Sequence, residues 1–527
     1  MSRLIPPALL AFFLGILTIG TASATTYYIA ANGSDSNSGQ SKTSPWLHAP
    51  GMTGCSGTCA SATPQAGDQF IFRGGDMWHA SGSPGGLPWS WSWSGSSGNP
   101  IYIGVDQNWF TGSSWARPVF NMDNPLSTSR PSSCVHDDSS LVTLDTHSDT
   151  YLTVDNFEFT GKCWGGAAAG AYLYAAGNGD KLSNNYFHGW TYATSSSDDS
   201  HAMIHGGLPN GQYMLCTQNV FDGSDSSLGT TGGQASGFAI YNTCSEISFN
   251  VFRHVSNGMI NEANNVHDNF LEYLYEPQGS QHGNIFETNG GVSATGAFYF
   301  YNNIMRHTNE GVGVWAETVN NPFYIFNNVS WHYRENSDGT NGSDGTNCFM
   351  VTVNSGSSAA DAYFYNNTLD SPCDTRTLGQ TETGTPQSVY PVRHFQNSHY
   401  IGYSGGISST YSGSGTVDDL GSEVFQSESA ANGQGYTTSD NYAPTSTSGA
   451  TVGAGANNAN FCKGMPNSTA AAACQAGLQG VTYDAVNHVA NVGTLVQRSS
   501  AWDAGAYEFG SSQAPPAPPT GLAAVVQ

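Results

Sequence analysis

A short phrase recurs nine times between residues 152 and 370, and it constrains the fold more than any other feature of the sequence. Each copy is a run of alternating apolar residues that leads into an asparagine and a further apolar residue. The asparagines lie 15 to 39 residues apart and are Asn156, Asn185, Asn219, Asn250, Asn269, Asn284, Asn303, Asn328 and Asn367. Such self-similarity is typical of a solenoid, in which each coil buries its apolar side chains only against its neighbours.

The recurring asparagines are interpreted as structural. Alternate residues of each strand, for example Ile247 and Phe249, are predicted to point into the solenoid, while their neighbours point outward. Successive coils would pair as parallel strands ~4.8 Å apart. Each asparagine would then stack on the asparagines of the coils above and below, with its amide bonded along the stack.

The first 24 residues are typical of an export signal. Arg3 supplies a positive charge, residues 8–19 are apolar, and Ala22-Ser23-Ala24 matches a cleavage site. The apolar run is too short for a membrane span. We predict cleavage after Ala24 and a secreted, extracellular protein without membrane insertion.

The charge balance excludes two classes of partner. The chain has 14 Lys and Arg residues against 39 Asp and Glu residues, a formal net charge of −25. Nucleic acids and anionic membrane surfaces are bound by clustered basic side chains. We therefore expect neither as a partner, and we expect a monomer.

Ten cysteines fit export to an oxidising compartment. Their order suggests bonds between sequence neighbours, although sequence alone does not determine connectivity. The suggested pairs are Cys55 with Cys59, Cys134 with Cys163, Cys216 with Cys244, Cys348 with Cys373, and Cys462 with Cys474. A zinc site at the first pair is the alternative, but no second close Cys or His pair accompanies it.

Both ends of the repeat region resemble those of secreted β-helix proteins. The opening, TTYYIAANGSDSNSGQSKTSPW followed by AGDQFIFRGGDMW, and the closing phrase SAWDAGAYEFG resemble those of the pectate-lyase-like superfamily. The resemblance implies an all-β fold, a single right-handed parallel β-helix with an N-terminal cap and long loops. The predicted division is a signal peptide (1–24), a cap and first coils (25–150), core repeats (151–372), C-terminal coils and loops (373–510) and a Pro-rich disordered tail (511–527).

The resemblance also implies a polysaccharide substrate, held where each coil leaves one strand and loops to the next. Lyases of the superfamily often use Lys or Arg as the base together with calcium, which makes calcium a candidate cofactor. Lysine occurs only at positions 42, 162, 181 and 463, and no such motif matches residue by residue. Asp35, Asn37 and Gly39 have calcium-loop spacing but lack the distal Glu, so a simple turn is favoured.

Ionisable residues recur at fixed distances beyond the asparagines. Three places beyond stand His188, Asp222, Arg253, Glu272, Glu287 and Arg306; four places beyond stand His254, Tyr273, Thr288, His307 and His332. If the asparagines are equivalent, these residues form two outer columns. The repeat predicts about three coils between His254 and His307, and hence a separation of ~14 Å. It predicts adjacent coils for His307 and His332, and hence ~5 Å.

The surroundings of Asn303 and Asn328 are the first-choice site. A base, a cation that stabilises a carboxylate, and an aromatic platform are what a uronate lyase requires. The candidate catalytic residues are His307, His332, Arg306, Arg334 and Glu310; the candidate substrate-binding residues are Trp315, Glu317, Arg253 and His254. The alternative is a polar column that only keeps the surface soluble.

Two further stretches are candidates. In SSSDDSHAMIHGG a strand would place Asp199, His201, Met203 and His205 on one face, with Ala202 and Ile204 inward, whereas a helix would pair the two histidines as metal ligands. The alternating Trp89, Trp91 and Trp93 form either a glycan platform or packing for the first coil.

Two functions remain open from the sequence. The first is a carbohydrate-active enzyme that cleaves an extracellular polysaccharide, with a lyase favoured over a glycoside hydrolase. The second is a surface or matrix protein that binds glycans through the solenoid face without turnover.

Overall fold

The chain forms a solenoid of short parallel strands. The computed structural model describes residues 24–166, 170–193, 202–207, 212–226, 238–255, 257–260, 263–274, 285–289, 296–308, 312–316, 321–333, 349–353, 361–370, 393–402, 407, 417–478 and 480–510. Each regular coil contributes one strand to each of three sheets, and each strand pairs in parallel with those of the neighbouring coils. This arrangement is a parallel β-helix, which confirms the predicted fold class.

The three sheets are named in the order in which a coil meets them. Within the described residues, the first sheet consists of Thr26–Ile29, Gln69–Gly74, Ile101–Phe110, Leu152–Asp155, Asp180–Ser183, Met214–Thr217, Glu246–Ser248, Asn265–His267, Phe298–Tyr301, Phe323–Phe326, Ala362–Tyr365, Arg393–Gln396 and Val417–Asp419. The second consists of Met77–His79, Val119–Asn121, Glu158–Thr160, Tyr186–His188, Val220–Asp222, Val251–Arg253, Phe270–Leu274, Ile304–Thr308, Val329–Tyr333, Thr368–Asp370, His399–Ile401 and Val424–Gln426. The third consists of Trp89–Ser90, Val142–Asp145, Ala171–Tyr174, Ala202–His205, Phe238–Tyr241, Asn257–Ile260, Phe286–Asn289, Val312–Ala316 and Phe349–Val353.

A ladder of buried asparagines lies at the corner between the first and second sheets. Its members are Asn185, Asn219, Asn250, Asn269, Asn303, Asn328 and Asn367. Each side-chain amide from Asn185 to Asn328 donates to the Oδ1 of the next asparagine at 3.0–3.1 Å. Each also donates to a main-chain carbonyl of the preceding coil, as Asn269 does to Ile247 at 3.0 Å. The asparagines are therefore structural, as predicted.

In the described part of the chain, the ladder contains seven of the nine recurring asparagines; Asn156 and Asn284 are not among its members. The Oδ1 of Asn185 accepts from the N–H of Phe157, so Phe157 occupies the ladder position in that coil and Asn156 precedes it. Asn156 has a left-handed φ angle of 71°, and Asn184, at the corresponding turn, has a left-handed φ angle of 57°. Asn284 lies outside the described residues, and Asn269 bonds directly to Asn303. The coils of Asn269 and Asn303 are therefore neighbours.

The first coils are closed by tryptophan packing. Trp89 and Trp91 are completely buried, and their rings contact Phe72 and Phe70. The indole N–H of Trp89 donates to the carbonyl of Pro50 at 2.9 Å. The packing interpretation is thus correct for these two residues, and a glycan platform made of them is wrong because no ligand can reach their faces.

Residues 427–510, here called the C-terminal segment, fold back over the outside of the β-helix. The segment contains the helices Glu428–Gly433, Ala459–Lys463 and Ser468–Cys474, the 3-10 turn Thr438–Asp440, and the antiparallel pairs Val481–Asp484 with Val489–Val492 and Ala476–Gly477 with Val496–Gln497. Elsewhere lie the short helix Gly57–Ala60 and the parallel pair Cys163–Trp164 with Thr191–Tyr192. None of the helices in the described part of the chain is long and apolar enough to span a membrane.

The C-terminal segment explains why some strands do not alternate between buried and exposed side chains. Leu152–Asp155 alternates between buried and half-buried residues, whereas all four residues of Phe323–Phe326 are buried. The outer side chains of Phe323–Phe326 are covered by the two helices that the Cys462–Cys474 disulfide joins. An outer face covered by protein requires apolar side chains on both sides of the strand.

Four of the five suggested disulfides are present: Cys55–Cys59, Cys134–Cys163, Cys216–Cys244 and Cys462–Cys474. The fifth pair, Cys348 and Cys373, lies outside the described residues. The bond at Cys55–Cys59 replaces the zinc alternative, because disulfide sulfurs do not bind the metal as thiolates.

Candidate functional site

The predicted column three residues beyond the ladder is a line of paired charges. Asp222, Arg253, Glu272 and Arg306 are in register on neighbouring strands of the second sheet. Arg253 donates to Asp222 at 3.0 Å and to Glu272 at 2.9 Å, and Arg306 donates to Glu272 at 2.9 and 2.7 Å. We call these four residues the charge column. Its signs alternate, so each carboxylate is neutralised by a guanidinium on an adjacent coil.

Burial and ion pairing have opposite effects on the pKa of Asp222 in the charge column. Burial alone would raise the pKa of Asp222, which is only 2 % exposed, but Arg253 and the neighbouring hydrogen-bond donors outweigh it and lower the pKa. Arg306 is less enclosed, and its guanidinium lies over the rings of Phe270 and Trp331. Asp222 is therefore ionised and Arg253, whose pKa its two carboxylate partners raise, is charged near neutral pH.

The column four residues beyond the ladder is a stack of rings. His254 and Tyr273 lie 4.8 Å apart between ring centroids, and Tyr273 and His307 lie 4.9 Å apart, with interplanar angles of 13°. All three residues have left-handed φ angles of 50–57°, so the backbone bends at this position of the second sheet. We call them the ring column. Since the faces of Tyr273 are occupied by its neighbours, a ligand would meet mainly ring edges and their polar atoms.

The spacing of the ring column corrects the sequence estimate. His254 and His307 are separated by two coils, with Tyr273 between them, and not by three. The repeat around Asn284 adds no rung to the ladder, because Asn269 bonds directly to Asn303. The structure consequently brings Arg253, His254, Arg306 and His307 into one continuous surface, with the Nη2 of Arg253 3.5 Å from the Nε2 of His254.

Several predicted site residues lie outside this description. Glu310, Glu317, Arg334, Asp199 and His201 are outside the described residues. His332 belongs to the strand Val329–Tyr333 and Trp315 to the strand Val312–Ala316, but only their backbones are described. Val312, in the same strand as Trp315, is buried. The roles assigned to these residues stay predictions.

Of the stretch SSSDDSHAMIHGG, the structure describes residues 202–207, and four of these form a strand and not a helix. Ala202–His205 belongs to the third sheet, and this excludes the helical pairing of His201 with His205. Met203 is completely buried, so the expectation that it shares an outer face with His205 is wrong. His205 itself is half-buried and points outward beside Tyr174 and Tyr241, at 5.5 and 5.1 Å between ring centroids.

His205 is a second candidate base. Its Nδ1 is buried and has no hydrogen-bond partner among the described residues. Burial lowers the pKa of this imidazole, so the neutral form is favoured. The register places Asp145, Tyr174, His205 and Tyr241 side by side on the outer face of the third sheet.

The sequence analysis did not predict that the C-terminal segment packs against the charge column. The hydroxyl of Tyr483 donates to Asp222 at 2.9 Å, and the guanidinium of Arg253 lies 4.8 Å from the centre of the Tyr483 ring. Tyr483 lies outside the repeat region, so no periodic signal connects it with the columns. The Asp222 end of the charge column is thereby covered, whereas Arg306 at the other end is more exposed and borders Trp331 of the next coil.

No calcium site is evident in the described residues. They contain no group of three or more His, Cys, Asp and Glu side chains that could hold a metal ion. Asp35 accepts from the N–H groups of Leu47 and His48 and pairs with the His48 ring at 2.8 Å. Its carboxylate organises the turn, which agrees with the simpler interpretation of that loop.

Comparison with known proteins finds likeness in structure only. No family model and no curated protein matches the sequence. Among solved structures, pectate lyase Pel9A matches with 16 % identity over 93 % of this chain and 97 % of that chain, at a TM-score of 0.37. The complex of XylC with xylose matches with 11 % identity over 72 % and 75 % (TM-score 0.40), and a rhamnogalacturonan lyase with 14 % identity over 76 % and 87 % (TM-score 0.38).

Proposed function

We propose that this protein is a secreted carbohydrate-active enzyme that cleaves an extracellular polysaccharide by β-elimination at the ring column. The observation that supports it is the stack of His254, Tyr273 and His307 directly beside Arg253 and Arg306. An imidazole and a guanidinium on the same coil are the base and the cation that proton abstraction next to a uronate carboxyl requires.

His307 is assigned as the base and Arg306 as the group that holds the carboxylate. Arg306 is 29 % exposed, more than Arg253 at 18 %, so it is the better placed to meet a ligand. Within the described residues its side-chain hydrogen bonds use the Nε and Nη2 donors, both to Glu272, and Nη1 is the donor proposed to bind the substrate. Tyr273 and His254 would then contact the neighbouring sugar units along the column.

A glycan-binding protein without turnover is the second candidate. It is favoured by one observation: Glu272 accepts hydrogen bonds from both Arg253 and Arg306 and so neutralises part of their charge. Less positive charge remains to stabilise a carboxylate in the transition state. A hydroxyl-rich sugar could still be bound by the ring edges.

The test is a turnover assay on pectin, alginate, chondroitin and neutral glycans. Elimination produces an unsaturated sugar and raises the ultraviolet absorbance, whereas hydrolysis produces new reducing ends without that absorbance. We expect H307Q and R306Q each to lower the rate at least ~100-fold, the lower end of what positioned acid–base groups contribute. H136Q, which changes an exposed histidine in the N-terminal region, serves as the matched control and should retain the rate.

The outcomes separate the candidates. Full activity in H307Q together with loss in His205→Gln would move the base to the third sheet. Glycan binding that persists in both variants, with no absorbance change and no new reducing ends in the native protein, would refute the enzyme and support the binding protein.

A further inference from the structure

The hairpin Val481–Asp484 and Val489–Val492 is held on the second sheet by a sandwich of aromatic rings. His488, in its turn, stacks on Tyr186 at 4.2 Å between ring centroids, with an interplanar angle of 7°. Tyr186 stacks on His188 at 4.3 Å and 8°. The tyrosine ring therefore lies between two imidazoles, one from the solenoid and one from the hairpin.

Hydrogen bonds reinforce this docking. Arg117 donates to the carbonyls of Asn487 and His488 at 3.0 and 3.1 Å, and to the carbonyl of Asn184 in the solenoid at 3.2 Å. The Tyr483 hydroxyl donates to Asp222, so it accepts from the Nδ1–H of His488 at 2.7 Å. The hairpin is thus fixed by one arginine, one tyrosine and one histidine.

Charged groups surround His488 on every side of the contact. The cations are Arg117, His188 and Arg253; the carboxylates are Glu158, Asp222, Asp225 and, on the hairpin itself, Asp484. Burial alone would lower the pKa of His188, but its bonds to Asp225 and Glu158 raise it to about 9, so His188 is already charged at neutral pH. The pKa values of Asp222 and Asp484 are lowered, so both carboxylates stay ionised throughout the pH range in which histidine titrates.

We propose that the hairpin is an acid-sensitive latch: protonation of His488 adds a fourth cation to Arg117, His188 and Arg253 and releases the hairpin from the second sheet. Release would uncover Tyr186, Val220 and Val251 together with the Asp222 end of the charge column. The latch is a property of the fold and does not depend on the proposed enzymatic activity.

The direction of the pH effect follows from His488. Burial, aided by His188 and Arg117, outweighs Asp222 and Glu158 and lowers its pKa in the docked state. The undocked histidine has an ordinary pKa of about 6.5, so it takes up a proton first. Docking is therefore strongest above pH 6.5 and weakens as the pH falls below it, by at most ~tenfold per pH unit for one proton.

Hydrogen exchange measured by mass spectrometry tests the latch in the full-length protein. We expect the protection factors of amides in residues 481–492 to fall between pH 7.5 and pH 5.0, while those in Leu152–Asp155 and Asp180–Ser183 stay constant. H488F keeps a ring on Tyr186 but cannot be protonated, so its hairpin protection should not change with pH. H147F, which alters an exposed histidine in another turn, should behave as the native protein does.

A second measurement does not depend on any variant folding normally. Nuclear magnetic resonance of protein with isotope-labelled histidine should show His488 titrating below pH 6.5. Titration at or above 6.5, constant protection of the native hairpin, or a pH dependence in H488F equal to that of the native protein would each overturn the latch.

Discussion

At the scale of single residues, the asparagine ladder satisfies backbone groups where strands cannot. The corner between the first and second sheets leaves N–H and C=O groups without strand partners, and each asparagine supplies both a donor and an acceptor there. Because the ladder is completely buried, a missing member leaves several polar groups unpaired.

Replacing Asn269 by alanine should therefore be costly. The side chain takes part in four hydrogen bonds, with both amides of Asn250, with Ile247 and with Asn303. We expect a loss of about 3 kcal/mol in the free energy of unfolding, measured by denaturant titration. N108A changes an exposed asparagine and should shift stability by less than about 0.5 kcal/mol. Equal effects of the two variants would contradict a structural ladder.

A second residue, His267, should make stability depend on pH. Burial alone would lower its pKa, but hydrogen bonds to Asp268 and Glu246 raise it to about 8. This stabilisation is complete below pH 6.5 and is lost as the pH rises through 8; its size is about 2 kcal/mol. Thermal unfolding at pH 6.5 and 9 should show a smaller difference for H267Q than for H136Q, and an identical difference would refute the assignment.

At the scale of elements, main-chain carbonyls of the closing sequence SAWDAGAYEFG surround the side chain of one arginine. Arg498 is buried and donates to the carbonyls of Ala476, Asp503 and Gly505 and to the Oδ1 of Asn327, a ladder-side residue of the solenoid. Burial lowers the pKa of Arg498 to about 10, which leaves it charged at neutral pH. One side chain thus connects the C-terminal segment to the β-helix.

Replacing Arg498 by lysine should lower the stability of the protein. R498K keeps the charge but has three donors in place of five and no planar fork, so carbonyls are left unpaired. We expect a loss of about 3 kcal/mol, in the range for breaking a buried ionic network. Calorimetry should show a lower melting temperature for R498K, whereas K463M, at an exposed site, should melt as the native protein does. A native melting temperature for R498K would contradict a stabilising role of the Arg498 hydrogen bonds.

At the scale of the whole molecule, the net charge of −25 opposes the approach of a polyanion. Salt screens this repulsion, over a length of ~10 Å at 0.1 M. Affinity for a polyuronate should therefore rise as the salt concentration is increased from about 20 to about 200 mM, while affinity for a neutral glycan should change little. Calorimetric titration at the two concentrations checks this, and a polyuronate affinity that falls with salt would mean that the local arginines dominate.

The sequence alone determined what repeats locally, the solenoid and the asparagine ladder, and it suggested the four disulfides between sequence neighbours that the structure confirms. These features depend on strand alternation and on contacts within one or two coils. The tertiary structure decided how many coils separate Asn250 from Asn303 and that Glu272 joins Arg253 to Arg306. Only folding could bring Tyr483 to Asp222, 261 residues away. Long-range contacts of this kind depend on loop paths and surface complementarity, which leave no period in the sequence.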